Sequence, residues 1–420
     1  LRFLWGYYTL ELRKKPPPFE QDKTLTKVIS IAEKVVALRS QLAGQGNRQQ
    51  RAEQATYALK TMAKRWFQEI DNGWQPASET GFPWVQVRRS LERLLFDMVH
   101  LQPPMPTQSA DSAKVLGLIL AGNTPLLAYP AIVASLWAGQ RVYVKYSRDE
   151  TYWVPQFTAF LQDVSPEVAE RIVGEVWEGS DPRTQELVEF VDIVIAYGSD
   201  GTIAQLRTLT PAETPFFGFG HAISLGIALR SGHPVGNLAP LRGFARDTLM
   251  YAQQGCLSPQ AILLEGGREE ADWFGRFLAE EMEREAIRLK VPAVREMGTA
   301  QAIRSACDIA QFAGATVYRD SALRYSLLVY PHTVSLPEPV GYGVLPIIPV
   351  ENIASEWHTV TERYRGKISA VGVSGKLPEA LESLLTDEGV TYICPAGQMQ
   401  TPPLHWQNGG IDLFTTLQWL

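Results

Sequence analysis

The chain has 420 residues, 45% apolar and 20% charged, and its 39 Lys and Arg against 45 Asp and Glu give a net charge of −6. This describes a globular protein of two or three domains with a large core, and the acidic balance argues against a nucleic-acid binder, which carries a basic footprint. Three widely separated cysteines, Cys256, Cys307 and Cys394, exclude a disulfide framework or a cysteine zinc cluster and fit a reducing, cytoplasmic setting.

Lys15-Pro16-Pro17-Pro18 reads as a stiff connector. From residue 24 to residue 100 apolar side chains recur at helical spacing, as in Val28, Ile31, Val35 and Leu38, and later Leu91, Leu94 and Leu95. Pro103, Pro104 and Pro106 form a second linker. The pattern then predicts a strand over 114–120, a helix over 125–138 with proline in its first turn, and a strand over 141–144. Helices over 154–161 and 168–173, a strand over 191–196 and a helix over 201–209 follow. Buried strands alternating with helices predict a parallel, doubly wound α/β domain of the dinucleotide-binding kind. The uncharged run 115–139 is long enough to span a bilayer. Gly122, Asn123, Pro125 and Pro130 near its middle would break a spanning helix, so a buried strand, loop and helix are expected and no membrane span. No charged-then-apolar signal pattern is present. Beyond Cys256, a strand over 261–264, a charged helix over 272–290 and apolar runs at 327–329, 344–350 and 370–373 predict a second α/β unit, with a ligand cleft between the two.

Four places carry chemistry. Cys256, in Gln253-Gln254-Gly255-Cys256-Leu257-Ser258-Pro259, follows a helix-like run at 244–251 and precedes a strand. A cysteine on such a turn is either an inert core residue or a nucleophile whose own backbone N–H can meet an oxyanion. Asn123, between a strand and a helix, is either a helix cap or an oxyanion donor. Gly198-Ser199 is either an ordinary turn with a serine cap or a phosphate site. Lys145 and Arg148 at a strand end are either solvated charges or partners of a ribose and its phosphate. The six histidines lack metal-ligand spacing; His221 and His233, in a glycine-rich segment, read as loop or core residues, and no metal site is expected.

The order of these motifs resembles the aldehyde dehydrogenase superfamily: Gly122-Asn123-Thr124-Pro125, Tyr143-Val144-Lys145, Tyr197-Gly198-Ser199 and Gln254-Gly255-Cys256. More closely, the chain resembles the acyl-CoA reductases of the bacterial luminescence type, the LuxC family. That likeness rests on Tyr197-Gly198-Ser199-Asp200, Gly218-Phe219-Gly220-His221-Ala222-Ile223-Ser224, Gln254-Gly255-Cys256-Leu257-Ser258-Pro259-Gln260 and the tail Gly397-Gln398-Met399-Gln400-Thr401-Pro402-Pro403 with Trp406 and Gly410. The resemblance implies an aldehyde dehydrogenase-like α/β fold in four parts: a helical region over 1–106, a Rossmann-type nucleotide-binding domain over 107–250, a catalytic domain over 251–385, and a segment over 386–420 that returns to the cofactor domain or serves oligomerisation. It implies Cys256 as the nucleophile, Asn123 and the Cys256 N–H as the oxyanion hole, Lys145 at the adenosine ribose, and Gly198 and Ser199 at the pyrophosphate.

Two departures refine the reading. Oxidising relatives place a water-activating glutamate where this chain has Phe217-Gly218-Phe219-Gly220-His221, so hydrolysis of an acyl-enzyme is expected to be slow. In Lys145-Tyr146-Ser147-Arg148 a cation replaces the acid that bonds a ribose 2′-hydroxyl in NAD-preferring relatives, so Ser147 and Arg148 point to NADPH. Glu338 is the nearest match to the superfamily glutamate at the nicotinamide ribose. The expected activity is NADPH-dependent reduction of a long-chain fatty acyl-CoA or acyl-protein thioester to the aldehyde. The expected partners are the acyl donor, an acyl-transferring protein and further copies of the chain. The competing readings are a hydrolytic aldehyde dehydrogenase, a cysteine acyltransferase or thioesterase without nicotinamide, and a non-catalytic scaffold.

Overall fold

The computed structural model describes residues 30–76, 80–104, 106, 113–148, 150–232 and 238–420. The proline connector at 15–18, the helical start at 24–29 and His233 lie outside them. Twelve strands form two sheets among the described residues. The first holds β1 (Val115–Ile119), β2 (Arg141–Tyr146), β3 (Ile172–Val176), β4 (Ile193–Tyr197) and β5 (Phe216–Phe219). Its order is β3-β2-β1-β4-β5 and every pair is parallel. The second holds β6 (Ile223–Ala228), β7 (Pro259–Glu265), β8 (Thr316–Arg319), β9 (Ser326–Val329), β10 (Val344–Val350), β11 (Ile368–Ser374) and β12 (Tyr392–Pro395). Its order is β12-β11-β6-β7-β10-β9-β8, and only β8 runs antiparallel to its neighbour.

Alternation of side chains sorts the first sheet between two cores. Val115, Ile119, Val194 and Ala196 face helices Ile31–Ala43, Arg183–Phe190 and Asp200–Leu209 through Val35, Leu187 and Leu206. Leu116, Leu118, Ile193 and Ile195 face helices Arg48–Asp71, Trp84–His100, Tyr129–Trp137 and Trp153–Gln162. Ser30 and Asn47 begin the first two helices with reciprocal capping boxes, to Glu33 and Gln50. The second sheet is likewise covered on both faces, by helices Ala239–Leu249 and Arg268–Arg288 on one side and Met297–Phe312, Ile353–Thr361 and Glu379–Asp387 on the other. The last helix, Leu413–Trp419, returns to helix Tyr129–Trp137, and the Leu417 carbonyl accepts from Arg48 and Gln140.

The structure corrects the expected elements in several places. Residues 168–173 are not one helix: a single turn, Pro166–Ala169, gives way to edge strand β3, because Ile172-Val173 pair in parallel with β2. Glu175 within β3 is engaged by Lys34 and the Tyr143 hydroxyl, both at 2.5 Å, which accommodates an acid in a strand. The helix expected from residue 125 starts only at Tyr129, since Leu126 sits at φ 63°. The sheets part between Phe219 and Ile223, ahead of the expected boundary at 250, and β12 in the tail still belongs to the second sheet. The cause is pairing: β6 inserts between β11 and β7, which places it inside the second sheet, next to its central strand β7. Among the described residues no helix is long and apolar enough to cross a membrane.

Trp66 is fully buried and stacks on Phe160 at 4.3 Å, joining two of the helices on the first sheet. Trp66→Ala is expected to lower unfolding free energy by about 3–5 kcal/mol, as cavity-forming aromatic truncations do; denaturant titration measures it.

Candidate active site

The C-terminal ends of β1, β4 and β5 and the turn before β7 converge on a cleft of about 860 Å³. Asn123, Tyr197, Gly198, Ser199, His221 and Cys256 all border it. A site at the carboxyl ends of parallel strands is where open α/β sheets bind ligands. Gly366 and Gly389 on its wall have no protein atom within 4 Å of a hypothetical Cβ, which leaves room for close approach of an elongated dinucleotide.

Cys256 stands after three consecutive left-handed residues, Tyr251 (φ 54°), Ala252 (φ 52°) and Gln253 (φ 60°). Such backbone is costly without glycine and persists only where neighbours over-determine it. They do so here. Tyr251 N donates to Gln86 Oε1 at 2.9 Å, and its hydroxyl lies 2.8 Å from Ser90 Oγ. Tyr342 N donates to the Ala252 carbonyl at 2.9 Å. Gln253 Nε2 donates to the carbonyls of Pro259 and Val344 at 2.7 and 3.1 Å. Beyond the turn, Ser224 Oγ donates to the Cys256 carbonyl at 2.6 Å. Residue Cys256 keeps some solvent exposure, yet packing around its sulfur pushes the thiol up to about 11. The N–H groups of Cys256 and Leu257 pull the other way by favouring the thiolate. Burial, with the Cys256 sulfur nearby, pushes the Tyr197 phenol well above its ordinary value.

The Asn123 side chain donates from Nδ2 to the Gln254 carbonyl at 2.9 Å, so it braces the cysteine turn; its amide carries a second N–H. It does not serve as a helix cap, because the following helix starts six residues on. Ser199 does cap its helix, accepting from Thr202 N at 3.2 Å, and with Gly198 it also borders the cleft. Asp200 is the one carboxylate on the cleft wall among the described residues. Lys367, 2.9 Å from its Oδ2, holds it below the usual carboxylate range, aided by the His221 N–H at 2.7 Å.

Lys145, Ser147 and Arg148 lie at the same sheet edge, at and just beyond the end of β2, but do not border this cleft. Lys145 is buried, which lowers its ammonium pKa, against an opposing pull from Glu178. Arg148 is ion-paired with Glu178 just beyond β3. Glu338 pairs with Arg363 at 3.1 Å and lies outside the cleft. Among the described residues no group of three His, Cys, Asp or Glu side chains could hold a metal.

A second, mostly apolar pocket of about 130 Å³ meets Cys256 from another side, walled by Ser90, Leu94, Leu126, Leu257, Pro402 and Trp406. Sequence reasoning missed this wall, since helix Trp84–His100 and the tail are remote from Cys256 along the chain. The tail is fixed by buried Asp247: its Oδ2 accepts from Gly397 N at 2.6 Å, and its carbonyl accepts from Gln400 Nε2 at 3.1 Å. Gln400 Nε2 also reaches Ser258 Oγ at 3.0 Å, two residues past Cys256.

The family model described as acyl-CoA reductase (LuxC) matches residues 87–417. The chain belongs to the acyl-CoA reductase (LuxC) family, a family of oxidoreductases. Long-chain acyl-protein thioester reductase 2 of Photobacterium leiognathi is 26% identical over 168 residues, 39% of this chain and 34% of that protein. The long-chain acyl-protein thioester reductase of Aliivibrio fischeri is 26% identical over 148 residues, 34% and 30% of the two chains. The alignments thus span about a third of the length of these curated relatives. Among solved structures, the aldehyde dehydrogenase KauB of Pseudomonas aeruginosa superposes with TM-score 0.66 at 13% identity, covering 87% of this chain and 80% of that one. Aldehyde dehydrogenase C of Pseudomonas syringae, solved as a mutant with NAD+ and octanal, gives 0.63 at 14% identity, covering 86% and 80%. The fold is therefore that of the aldehyde dehydrogenases.

Burial pushes Asp247 up to about 7, from an ordinary 3.8. Its folded form therefore binds more protons than the unfolded chain between those values, so stability from this group falls as pH rises through that window and levels off above it. Asp247→Asn is expected to flatten that decline; thermal unfolding of both proteins from acidic to mildly alkaline pH checks it.

Proposed function

We propose that this protein reduces a fatty acyl thioester, carried on coenzyme A or on a protein, to the fatty aldehyde with NADPH through an acyl-Cys256 intermediate. The observation that carries this reading is the position of Cys256 on a wall shared by the large cleft of mixed polarity and the mostly apolar pocket. One chamber suits a dinucleotide and the other an alkyl chain, and the nucleophile touches both.

Cys256 loses its proton, and the thiolate attacks the acyl carbonyl. The oxyanion is met by the second Asn123 N–H and by the Cys256 backbone N–H. The oxyanion then collapses, the carbon–sulfur bond to the donor breaks, and the donor thiolate leaves and takes up the proton that Cys256 gave up, which leaves acyl-Cys256. A nicotinamide dinucleotide, when bound, supplies the hydride that this acyl group needs. In the assignment we favour, Gly198 and Ser199 hold its pyrophosphate, Lys145 and Ser147 the adenosine ribose, and Arg148 the 2′-phosphate, with the sheet of β1–β5 as the nucleotide domain. Water is a poor competitor for the acyl-enzyme. Asp200 is held ionised by Lys367 and His221, so it is a weak base. This supports reduction over hydrolytic oxidation.

Wild type is expected to consume NADPH with a long-chain acyl-CoA and yield aldehyde, while Cys256→Ala yields neither aldehyde nor acyl-enzyme. Because the thiol is raised, acylation of Cys256 should climb about tenfold per pH unit through the neutral range. Acyl transfer to Cys256 without NADPH use would favour an acyltransferase, and an unimpaired Cys256→Ala enzyme would refute the nucleophile.

Arg148 sets a second expectation. Glu178 competes with a 2′-phosphate for it, so Glu178→Gln should lower KM for NADPH, and Arg148→Ala should cost NADPH about tenfold in kcat/KM while leaving NADH nearly unchanged. Equal effects on both cofactors would remove Arg148 from this role.

A further inference from the structure

A third cavity, of about 470 Å³, lies between helix Met297–Phe312 and the 337–340 loop. It shares Gln260, Pro339 and Val340 with the cleft of Cys256, so the two open side by side. Its far end reaches Ala302 and Ile309, both exposed on the helix. The partition between this cavity and the nucleophile is thin. Gln260 Nε2 donates to the carbonyls of Gln253 and Ser258 at 3.3 and 3.2 Å, and Tyr342 N binds Ala252.

The lining restricts the occupant. Among the described residues no cation borders the cavity, and the single charge there, Glu338, already pairs with Arg363, so a nucleotide or free phosphate finds no partner. Alanine and serine on the helix keep the wall low, while Ser305, Tyr330 and Gln260 intersperse polar groups among apolar ones. That mixture suits a neutral, linear, amide-containing chain. The acyl pocket and the dinucleotide cleft both touch Cys256, and the third space adjoins the cleft through Gln260, Pro339 and Val340, where a leaving thiol needs a path out.

We propose that the cavity between helix Met297–Phe312 and the 337–340 loop holds the pantetheine arm of the acyl donor, an arm common to coenzyme A and to acyl carrier proteins. This rests on the thioester-reductase reading and deepens it. Donor and dinucleotide then occupy separate spaces at the same time. A donor nucleotide or carrier protein remains outside, at the mouth marked by Ala302 and Ile309.

The test is the rate of Cys256 acylation, read by intact mass without any nicotinamide. Three dodecanoyl donors are compared: dodecanoyl-CoA, dodecanoyl carrier protein and the ethanethiol thioester, which lacks the arm. Ala306→Trp fills the cavity, and Ala302→Glu, on an exposed helical position, charges its mouth and guards against misfolding of the first. Both are expected to slow a pantetheine donor by about tenfold and to leave the ethanethiol thioester unchanged. A loss with every pantetheine donor that wild type accepts, and none with the ethanethiol thioester, supports the arm; a loss with only one of two accepted pantetheine donors assigns the effect to the nucleotide or carrier protein outside and overturns the cavity assignment. Equal rates for variant and wild type, or an equal loss with all three donors, overturns the cavity assignment while the reductase reading stands. Failure of every donor to acylate wild type overturns both.

Discussion

The site depends on one strained piece of backbone. Tyr251, Ala252 and Gln253 occupy the left-handed region in succession without a glycine among them. L-residues there cost on the order of 1–2 kcal/mol each, so the conformation must be imposed from outside. Gln86 and Ser90 of helix Trp84–His100, Tyr342 before β10 and the carbonyls of Pro259 and Val344 impose it together. Elements far apart in sequence thereby fix the direction from which Cys256 enters the cleft. Relief of any one brace would let the turn relax and carry the sulfur with it.

This arrangement explains how one side chain meets two environments. The turn lies where the ends of β1, β4 and β5 face the second sheet, and its other flank lies against the tail and the N-terminal helices. A chamber of mixed polarity and a mostly apolar one therefore meet at Cys256. Crowding raises the thiol of Cys256, while the N–H groups of Cys256 and Leu257 favour its thiolate. Asn123 does double duty, bracing the turn through the Gln254 carbonyl and presenting an amide beside it.

The tail completes the apolar wall through a buried acid. Asp247 is removed from water, with one oxygen holding the Gly397 N–H and the other without a hydrogen-bond partner. Leaving a carboxyl oxygen unpaired is costly, and its gain is the close seating of the tail. Gly243 allows that seating: a Cβ there would lie 2.5 Å from the Ala396 carbonyl oxygen. Gln400 then passes the constraint to Ser258, two residues from Cys256.

The sequence by itself determined the α/β class, most of the strands and the identity of the residues worth watching. Continuous apolar runs such as 115–119 and 344–350, buried on both faces, leave little choice, and the motif order around Asn123, Gly198 and Cys256 marks the family. The weak segments were those whose state depends on a partner. Residues 168–173 read as helix until β2 supplies a strand to pair with, and β5 and β6 hide in a glycine-rich stretch because their burial comes from neighbouring strands. Only the tertiary structure decided that Ser90, Gln400 and Trp406 share a pocket with Cys256, that Arg148 is held by Glu178, and that Asn123 braces a turn rather than capping a helix. Local pattern records which face of an element is apolar; contacts between elements more than a hundred residues apart depend on how the two sheets are set against each other, and no short-range periodicity encodes that.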